Sequence, residues 1–198
     1  IANHGITLVP GDCVYVDLNA DGEINSNDAT RDIGYTDMPE YTAGLNTGFS
    51  WKNFDFSMQW TGAWNVDRML DEFRRPLGDT NEKGLLLYQY DTTWRSSADT
   101  FTAKFPRTSS LHASNNYAGS DLYLINASYL RLKSVEIGYN FNFPFMKKLK
   151  MDNCRLYVNG YNLITITGFK WGDPESRQSS RPNYPLTRVF NIGLKLGF

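Results

Sequence analysis

The sequence is poor in the residues on which several classes of protein depend. Among its 198 residues are two cysteines and two histidines, and its formal net charge is -1. Two cysteines cannot form a disulfide framework, and a near-neutral charge gives no support for nucleic-acid binding. No apolar run reaches roughly 18 residues, the minimum length of a transmembrane helix, so such a helix is excluded.

Aromatic residues, in contrast, are abundant. They make up 15% of the chain, with 12 Tyr, 12 Phe and 5 Trp, although the mean hydropathy is only -0.46. Strands of a transmembrane β-barrel combine these two properties, because apolar side chains facing lipid alternate with polar side chains facing the lumen. The 16 glycines and the scarcity of helical periodicity also favour an all-β fold.

The last nine residues, 190–198, show this alternation most clearly. Their apolar side chains share one side of an extended strand: Phe190, Ile192, Leu194, Leu196 and Phe198. In water a second sheet would have to cover this stripe, whereas in a bilayer the stripe would face lipid. A final Phe on such a strand resembles the C-terminal signature of outer-membrane β-barrels. A strand of a soluble sandwich remains the alternative.

Two further alternating segments, 41–51 and 54–61, flank a short turn at Lys52–Asn53. Both are close to the ~9–11 residues that a tilted strand needs to cross a bilayer. The parity predicts that one set of residues faces lipid: Phe49, Trp51, Phe56, Met58, Phe190, Ile192 and Leu194. It predicts that a second set faces the lumen: Ser57, Gln59, Asn191 and Lys195.

The pattern predicts two more strands, at 129–141 and near 155–165, and the terminal strand from about Thr187 completes a set of five. The first of these is irregular, because its leucines near the start have the opposite parity to the apolar residues that follow. A β-bulge near Lys133–Ser134 would restore one apolar face.

The lengths of the connections provide an independent test. Outer-membrane barrels alternate short periplasmic turns with long extracellular loops, and we expect the C-terminus in the periplasm. This arrangement makes 65–122 and 167–186 extracellular loops, and it makes Lys52–Asn53 and 142–153 periplasmic turns. A soluble sandwich has no reason to produce this alternation.

The same arrangement divides the chain into an extracellular loop at 1–40 and the barrel strands with their long loops at 41–198. It places Cys13 outside the membrane and Cys154 on the periplasmic side. The two cysteines then cannot pair, because a disulfide needs Cα atoms within ~7 Å of each other.

The segment from Asp17 to Asp28 has the spacing of a calcium-binding loop and resembles the dockerin-type variant of the EF-hand. Oxygen ligands at alternate positions surround a bend that Gly22 permits. The predicted ligands are Asp17, Asn19, Asp21, Glu23 through its carbonyl, Asn25 through water, and Asp28. The Ca²⁺ would be structural and would brace an extracellular loop. The alternative is a solvated turn without metal.

Several stretches resemble the C-terminal end of SusC/RagA-type TonB-dependent transporters. They are residues 10–24, 32–41, 49–57, 126–139, 157–163 and 173–175. The resemblance implies about five C-terminal strands of a barrel with about 22 strands and an N-terminal plug. It further implies import of oligosaccharides or peptides across the outer membrane of a Gram-negative bacterium, with a SusD-like surface lipoprotein and the TonB system as partners.

Five strands cannot close a barrel, and their open edges would be unstable in lipid. We therefore expect the chain to be a fragment, or one chain of a barrel whose remaining strands and plug lie on another polypeptide. The alternative function is a soluble extracellular calcium-binding β-domain, such as a glycan-binding module.

An enzyme is the weakest hypothesis, and we predict no catalytic or cofactor site. Neither His4 nor His112 belongs to a recognisable catalytic constellation. The carboxylates of Asp91, Asp99 and Glu175 are interpreted as solvated loop groups. A set of arginines is interpreted as loop or rim charges: Arg74, Arg75, Arg177, Arg181 and Arg188.

Overall fold

The computed structural model describes residues 6–70, 87–144, 150–176 and 186–198. Within them the chain forms seven strands: β1 (Tyr41–Trp51), β2 (Phe54–Trp64), β3 (Asp67–Met69), β4 (Leu124–Asn126), β5 (Tyr129–Phe141), β6 (Asn153–Thr167) and β7 (Val189–Gly197). The helices are short: α1 (Leu87–Thr92), α2 (Ala113–Asn116) and 3-10 turns at Ser26–Asp28, Ser97–Asp99 and Asp121–Tyr123. No helix in these ranges is both long and apolar enough to cross a membrane.

The chain folds as two units. The loop unit consists of residues 6–37, 67–70 and 87–125, and the sheet unit consists of residues 38–66, 126–144, 150–176 and 186–198. In the sheet unit five strands form one antiparallel sheet in the order β1-β2-β5-β6-β7. These are the five strands that the sequence predicted, and β2, β6 and β7 differ from the predicted bounds by a few residues.

A two-residue turn joins the first two strands. Trp51 pairs with Phe54, which leaves Lys52 and Asn53 as the connection, and the ladder continues to the pair of Tyr41 and Trp64. Lys52 has a φ of 54°, as the tight turns that match strand twist require at their first central position. The predicted hairpin is therefore present, and its second strand extends three residues beyond the predicted end.

The register carries the alternation across the whole sheet, because residues that pair directly share a face. Two neighbouring rows are apolar: Trp51, Phe54, Tyr139, Leu156 and Leu194, then Phe49, Phe56, Ile137, Val158 and Ile192. The row between them on the other face is Ser50, Asp55, Gly138, Tyr157 and Gly193. The next polar row is Gly48, Ser57, Glu136, Asn159 and Asn191. One face of the sheet is thus apolar and the other polar or small.

The predicted bulge is present at Lys133. Ser134 pairs with Gln59, but the next pair joins Leu132 to Trp60, so Lys133 is the extra residue. The same residue is skipped in the pairing of β5 with β6. An extra residue reverses the parity, and it therefore returns Leu132 to the apolar face that Val135 occupies further along β5.

The loop unit has its own small core. Tyr123 and Leu70 are buried, and the rings of Phe105 and Tyr123 stack with centroids 5.9 Å apart. The sequence predicted 65–122 only as a loop, whereas its described part contains α1, α2 and a strand.

Five residues that the sequence analysis discusses lie outside the described residues: His4, Arg74, Arg75, Arg177 and Arg181.

Candidate functional site

Many large side chains on the apolar face of the sheet are exposed. Phe190 is 70% exposed and Ile192 is 78% exposed, although both belong to continuous apolar rows. Isolated apolar residues on a surface are common, but contiguous apolar patches of this kind mark contact with a partner or with a membrane. The face is therefore built to contact something apolar.

The opposite face carries a hydrogen-bonded network that crosses four strands. Arg155 on β6 donates to Asp55 on β2 through Nε at 3.0 Å and to Glu136 on β5 through Nη2 at 2.7 Å. Asn159 donates to Glu136 at 3.1 Å, and Asn191 on β7 donates to Asn159 at 2.9 Å. Polar groups need water or partners, and this face supplies partners without a second apolar layer, which suits a wetted lumen.

The ion pair between Arg155 and Asp55, which spans β5, depends on a glycine in that strand. Gly138 lies between Asp55 and Tyr157 in its register row, and Arg155 reaches across it to Asp55. A Cβ atom at this position would collide with the side chains of both Arg155 and Asp55. The absence of a side chain therefore allows the ion pair to span β5.

The acidic loop is held by hydrogen bonds from backbone N–H groups to its carboxylates. Asp17 Oδ2 accepts from Gly22, and Asp21 Oδ1 accepts from Glu23, both at 2.8 Å. Asp28 accepts from Leu18 and from Asn25, again at 2.8 Å. Gly22 has a φ of 89°, which confirms the bend that the spacing predicted.

The amide side chains of the loop take part in the same turn. Asn19 Oδ1 accepts from the N–H of Asp21 at 3.0 Å, and its Nδ2 donates to Asp21 Oδ2 at 2.9 Å. Asn25 caps the 3-10 turn by accepting from the N–H of Asn27. The side chains of Asn19 and Asn25 therefore hold the turn by hydrogen bonds within the loop itself.

The donor atoms suit a hard cation, which prefers oxygen ligands. Asp17 Oδ1 is buried and has no hydrogen-bond partner in the part of the chain that the structure describes. No three His, Cys, Asp or Glu side chains of those residues lie close enough together to form a metal site. The calcium site at Asp17, Asn19, Asp21, Glu23, Asn25 and Asp28 stays a prediction.

A buried carboxylate that the sequence did not reveal organises the loop unit. The side chain of Asp12 is fully buried. Its Oδ1 accepts from Arg107 Nε at 2.7 Å and from Asn116 Nδ2 at 2.9 Å. Its Oδ2 accepts from His112 Nδ1 at 2.7 Å and from the N–H of Val9 at 3.0 Å. Burial opposes the charge, but these four donors outweigh it and hold the pKa of Asp12 well below its usual range.

The neighbouring groups are structural as well. The N–H of Cys13 donates to Asn116 Oδ1 at 2.9 Å, and burial raises the pKa of the Cys13 thiol to about 11. No disulfide joins Cys13 to Cys154 in the described residues. Asp99 accepts from the N–H of Ser96 at 3.0 Å and thereby caps a 3-10 turn. The described contacts of His112 and Asp99 thus stabilise the local structure of the loop unit.

The comparisons with known proteins agree with this geometry. No family model matches the chain. TonB-dependent receptor P3 of Formosa agariphila is 30% identical, over 96% of this chain and 19% of the receptor. TonB-dependent receptor SusC of Bacteroides thetaiotaomicron is 28% identical, over 96% of this chain and 18% of the receptor. The chain spans about a fifth of the length of these relatives.

Solved structures show the fold. The RagAB peptide transporter superimposes with a TM-score of 0.63 at 21% identity, over 83% of this chain and 18% of that one. The RagAB peptide importer in its closed-closed state gives a TM-score of 0.65 at 21% identity, over 90% of this chain and 20% of that one.

The fold class is thus part of an antiparallel transmembrane β-barrel. The similarity along nearly the whole chain confirms the resemblance to the C-terminal barrel segment of SusC/RagA-type TonB-dependent transporters. The named relatives are receptors and transporters rather than enzymes, in agreement with the sequence analysis.

Proposed function

We propose that this chain is the C-terminal part of a TonB-dependent outer-membrane importer of oligosaccharides or peptides, which works with a SusD-like surface lipoprotein. The observation that carries the proposal is the sheet with two faces. Its apolar rows continue across five strands and many of their side chains are exposed, and its polar rows are linked by the network around Arg155. This is the surface that a barrel wall presents to lipid and to a lumen.

The relatives support the transport role and the substrate classes. SusC and receptor P3 are TonB-dependent receptors, and RagAB is a peptide importer. A peptide substrate is therefore one of two classes to test, beside the oligosaccharides that the sequence analysis proposed. The likeness to SusC and RagAB also supports a SusD-like or RagB-like lipoprotein as the partner.

The open edges of the sheet support a larger assembly. Within the described residues β1 and β7 pair on one side only. An unpaired strand edge is not tolerated in lipid, so we propose that the remaining barrel strands pair with both edges. In this arrangement the long loops are extracellular, the C-terminus is periplasmic, and the plug and the contact with TonB belong to the rest of the importer.

The location of the chain in its native host tests this function. We expect the chain in the outer-membrane fraction, extractable only with detergent, together with the remaining barrel and a surface lipoprotein. Deletion of the importer should abolish growth on the oligosaccharide or peptide that it imports. A chain that purifies from buffer without detergent would instead support the soluble calcium-binding β-domain.

We also propose that the loop from Asp17 to Asp28 binds a structural Ca²⁺. The oxygen-bearing side chains at the required spacing and the unpartnered Oδ1 of Asp17 support this proposal. The ion would replace hydrogen bonds within the loop by direct ligands. Its role would be to brace the loop, with no part in transport chemistry.

Calcium titration of the detergent-purified importer tests the site. We expect calcium to protect residues 17–28 from proteolysis, and we expect Asp21→Ala to remove this protection. Asp32→Ala is the matched control, because Asp32 is an exposed carboxylate in the same region whose oxygen contacts Thr30 instead. Equal protection in the parent protein with and without calcium would refute the site.

A further inference from the structure

Arg131 on β5 is the most deeply buried cation among the described residues of the sheet unit. Its side chain is 2% exposed. Nη2 donates to both oxygens of Asp173 at 2.8 and 2.9 Å, and Nη1 donates to Glu175 Oε2 at 2.7 Å. The remaining nitrogen, Nε, donates to Thr165 Oγ1 at 3.0 Å. Every nitrogen of the guanidinium is thus engaged.

The two carboxylates belong to one short turn that follows β6. Asp173 Oδ1 accepts from the N–H of Glu175 at 2.8 Å, and the carbonyl of Asp173 accepts from Ser176 at 3.2 Å. The Asp173 side chain is 9% exposed, so its charge is desolvated together with that of Arg131. Lys133, the bulge residue, donates to both oxygens of Glu175, to Oε1 at 3.0 Å and to Oε2 at 2.9 Å.

The charges of this cluster balance, because two cations meet two carboxylates. Removing one member of a buried pair leaves an uncompensated charge, which is far more costly than the pair is stabilising. An arginine is required for the geometry, since its planar fork contacts two carboxylates at once and a lysine cannot. The turn is therefore fixed to β5 at a single defined position.

The side of the sheet to which the turn is fixed follows from the register. Leu130 and Leu132 lie in apolar rows, with Ile166 and Ile164 as their partners on β6. Arg131 lies between them and points to the opposite, polar face, with Thr61 and Thr165 in its row. A turn bound to Arg131 must consequently fold over the polar face instead of continuing outward from the strands.

We propose that residues 168–176 form an inward-folded segment that narrows the outer opening of the lumen, and that Arg131 latches it there. This inference rests on the proposed function, in which the polar face lines the lumen. The segment begins at the end of β6 that bears the long loop 167–186, so it lies at the entrance. Cargo entering the importer passes beside it, and the latch sets the width of the passage on this side.

Cysteine labelling of the full-length importer in intact cells tests the proposal. Ser176→Cys reports on the turn, and every native cysteine of the importer is replaced by serine. We expect a small impermeant maleimide to label Ser176→Cys at least about five times faster than a maleimide carrying a large polyethylene glycol chain, which cannot enter the lumen. Adding Arg131→Met should release the turn and remove most of this difference.

Arg155→Met is the matched control, because Arg155 forms ion pairs on the same face without contacting the turn. It should leave the labelling ratio of Ser176→Cys unchanged. Arg131→Lys should give an intermediate ratio, and Asp173→Asn should resemble Arg131→Met.

The possible outcomes distinguish three claims: the inward-folded segment, the latch by Arg131 and the proposed import function. Heat-modifiable migration of each variant confirms that the barrel has formed before labelling is compared. A barrel in which both reagents label Ser176→Cys equally fast overturns the inward-folded segment while leaving the import function intact. An equal loss of selectivity in Arg131→Met and Arg155→Met overturns the latch. A chain absent from the outer membrane refutes the proposed function itself.

Discussion

The sheet unit and the loop unit place their apolar side chains in opposite ways. In the sheet unit many large apolar residues are exposed, as Phe190 and Ile192 illustrate, and charged residues form a network on the other face. In the loop unit the large aromatic residues Phe105 and Tyr123 are buried, and a carboxylate, Asp12, is buried among donors. The loop unit therefore follows the pattern of a water-soluble protein, whereas the sheet unit inverts it.

This difference shows that the two units are adapted to different surroundings. Apolar burial stabilises the loop unit in water, but in a bilayer lipid can cover apolar side chains and burial against protein is unnecessary. The three inner strands of the sheet pair on both sides, and β1 and β7 each pair on one side. A structure in lipid must satisfy its backbone groups in this way between strands. The predictions below test whether the two units respond oppositely to the same kind of change.

The largest effect is expected from a charge on the apolar face. Ile192→Arg, in the middle of β7, should destabilise the folded barrel by about 2–4 kcal/mol, because the guanidinium would have to enter the hydrocarbon. Asn191→Arg, one residue away on the polar face, should cost much less. Unfolding of the assembled importer from lipid vesicles in denaturant measures both values, and equal costs would contradict the two-faced sheet.

A smaller effect is expected from the buried carboxylate of the loop unit. Asp12→Asn removes the charge that accepts from Arg107 and His112 and leaves buried donors facing an amide, at a cost of about 1–3 kcal/mol. Hydrogen exchange should accelerate across the loop unit and remain unchanged in the sheet. Asp32→Asn, at an exposed carboxylate, serves as the control and should change neither unit.

A comparable or smaller effect is expected from a methyl group on the polar face. Gly138→Ala should displace Arg155 from Asp55 and destabilise the sheet by at most about 1 kcal/mol, because the atoms that a Cβ would meet are the ends of flexible, part-exposed side chains. Gly168→Ala is the matched control, since a Cβ there meets nothing within 4 Å. If both substitutions prove equally harmless in a denaturant titration, the ion pair across Gly138 is unimportant for the sheet.

The smallest effect is expected from acid. The pKa of Asp12 is lowered in the folded state, so its stabilising contribution is fully present above the unfolded value of about 4 and is lost as the pH falls toward the folded value. The loop unit should therefore lose stability progressively below about pH 4. Proteolysis by an acid-stable protease follows this loss, and Asp12→Asn should flatten the dependence on pH.

The sheet could be predicted from the sequence because its signal is local. Alternation alone predicted 41–51 and 129–141 at their observed bounds, and the change of parity near Lys133 revealed the bulge. Each of these features depends on neighbours within a few residues. The short helices in 65–122 have no such periodicity, and the sequence predicted that segment only as a loop.

The polar clusters could not be predicted, because their members lie far apart in the sequence. Asp12 is hydrogen-bonded to Asn116, which is 104 residues away in the sequence, and Arg131 is hydrogen-bonded to Asp173, which is 42 residues away. Glu175 is an exposed loop carboxylate, as the sequence predicts, but its ion pairs with Arg131 and Lys133 have no signal in the sequence. Only the fold brings these charges together, whereas the acidic loop was recognisable because its groups lie within twelve consecutive residues.

The central claim is that one face of the sheet contacts lipid and the other contacts water. Spin labels placed singly along residues 189–197 of the importer in lipid bilayers test it most directly. We predict that collision with oxygen is strongest at Phe190, Ile192, Leu194 and Leu196, and that collision with a water-soluble nickel chelate is strongest at Asn191, Gly193 and Lys195. A uniform profile, without a period of two residues, would contradict the claim.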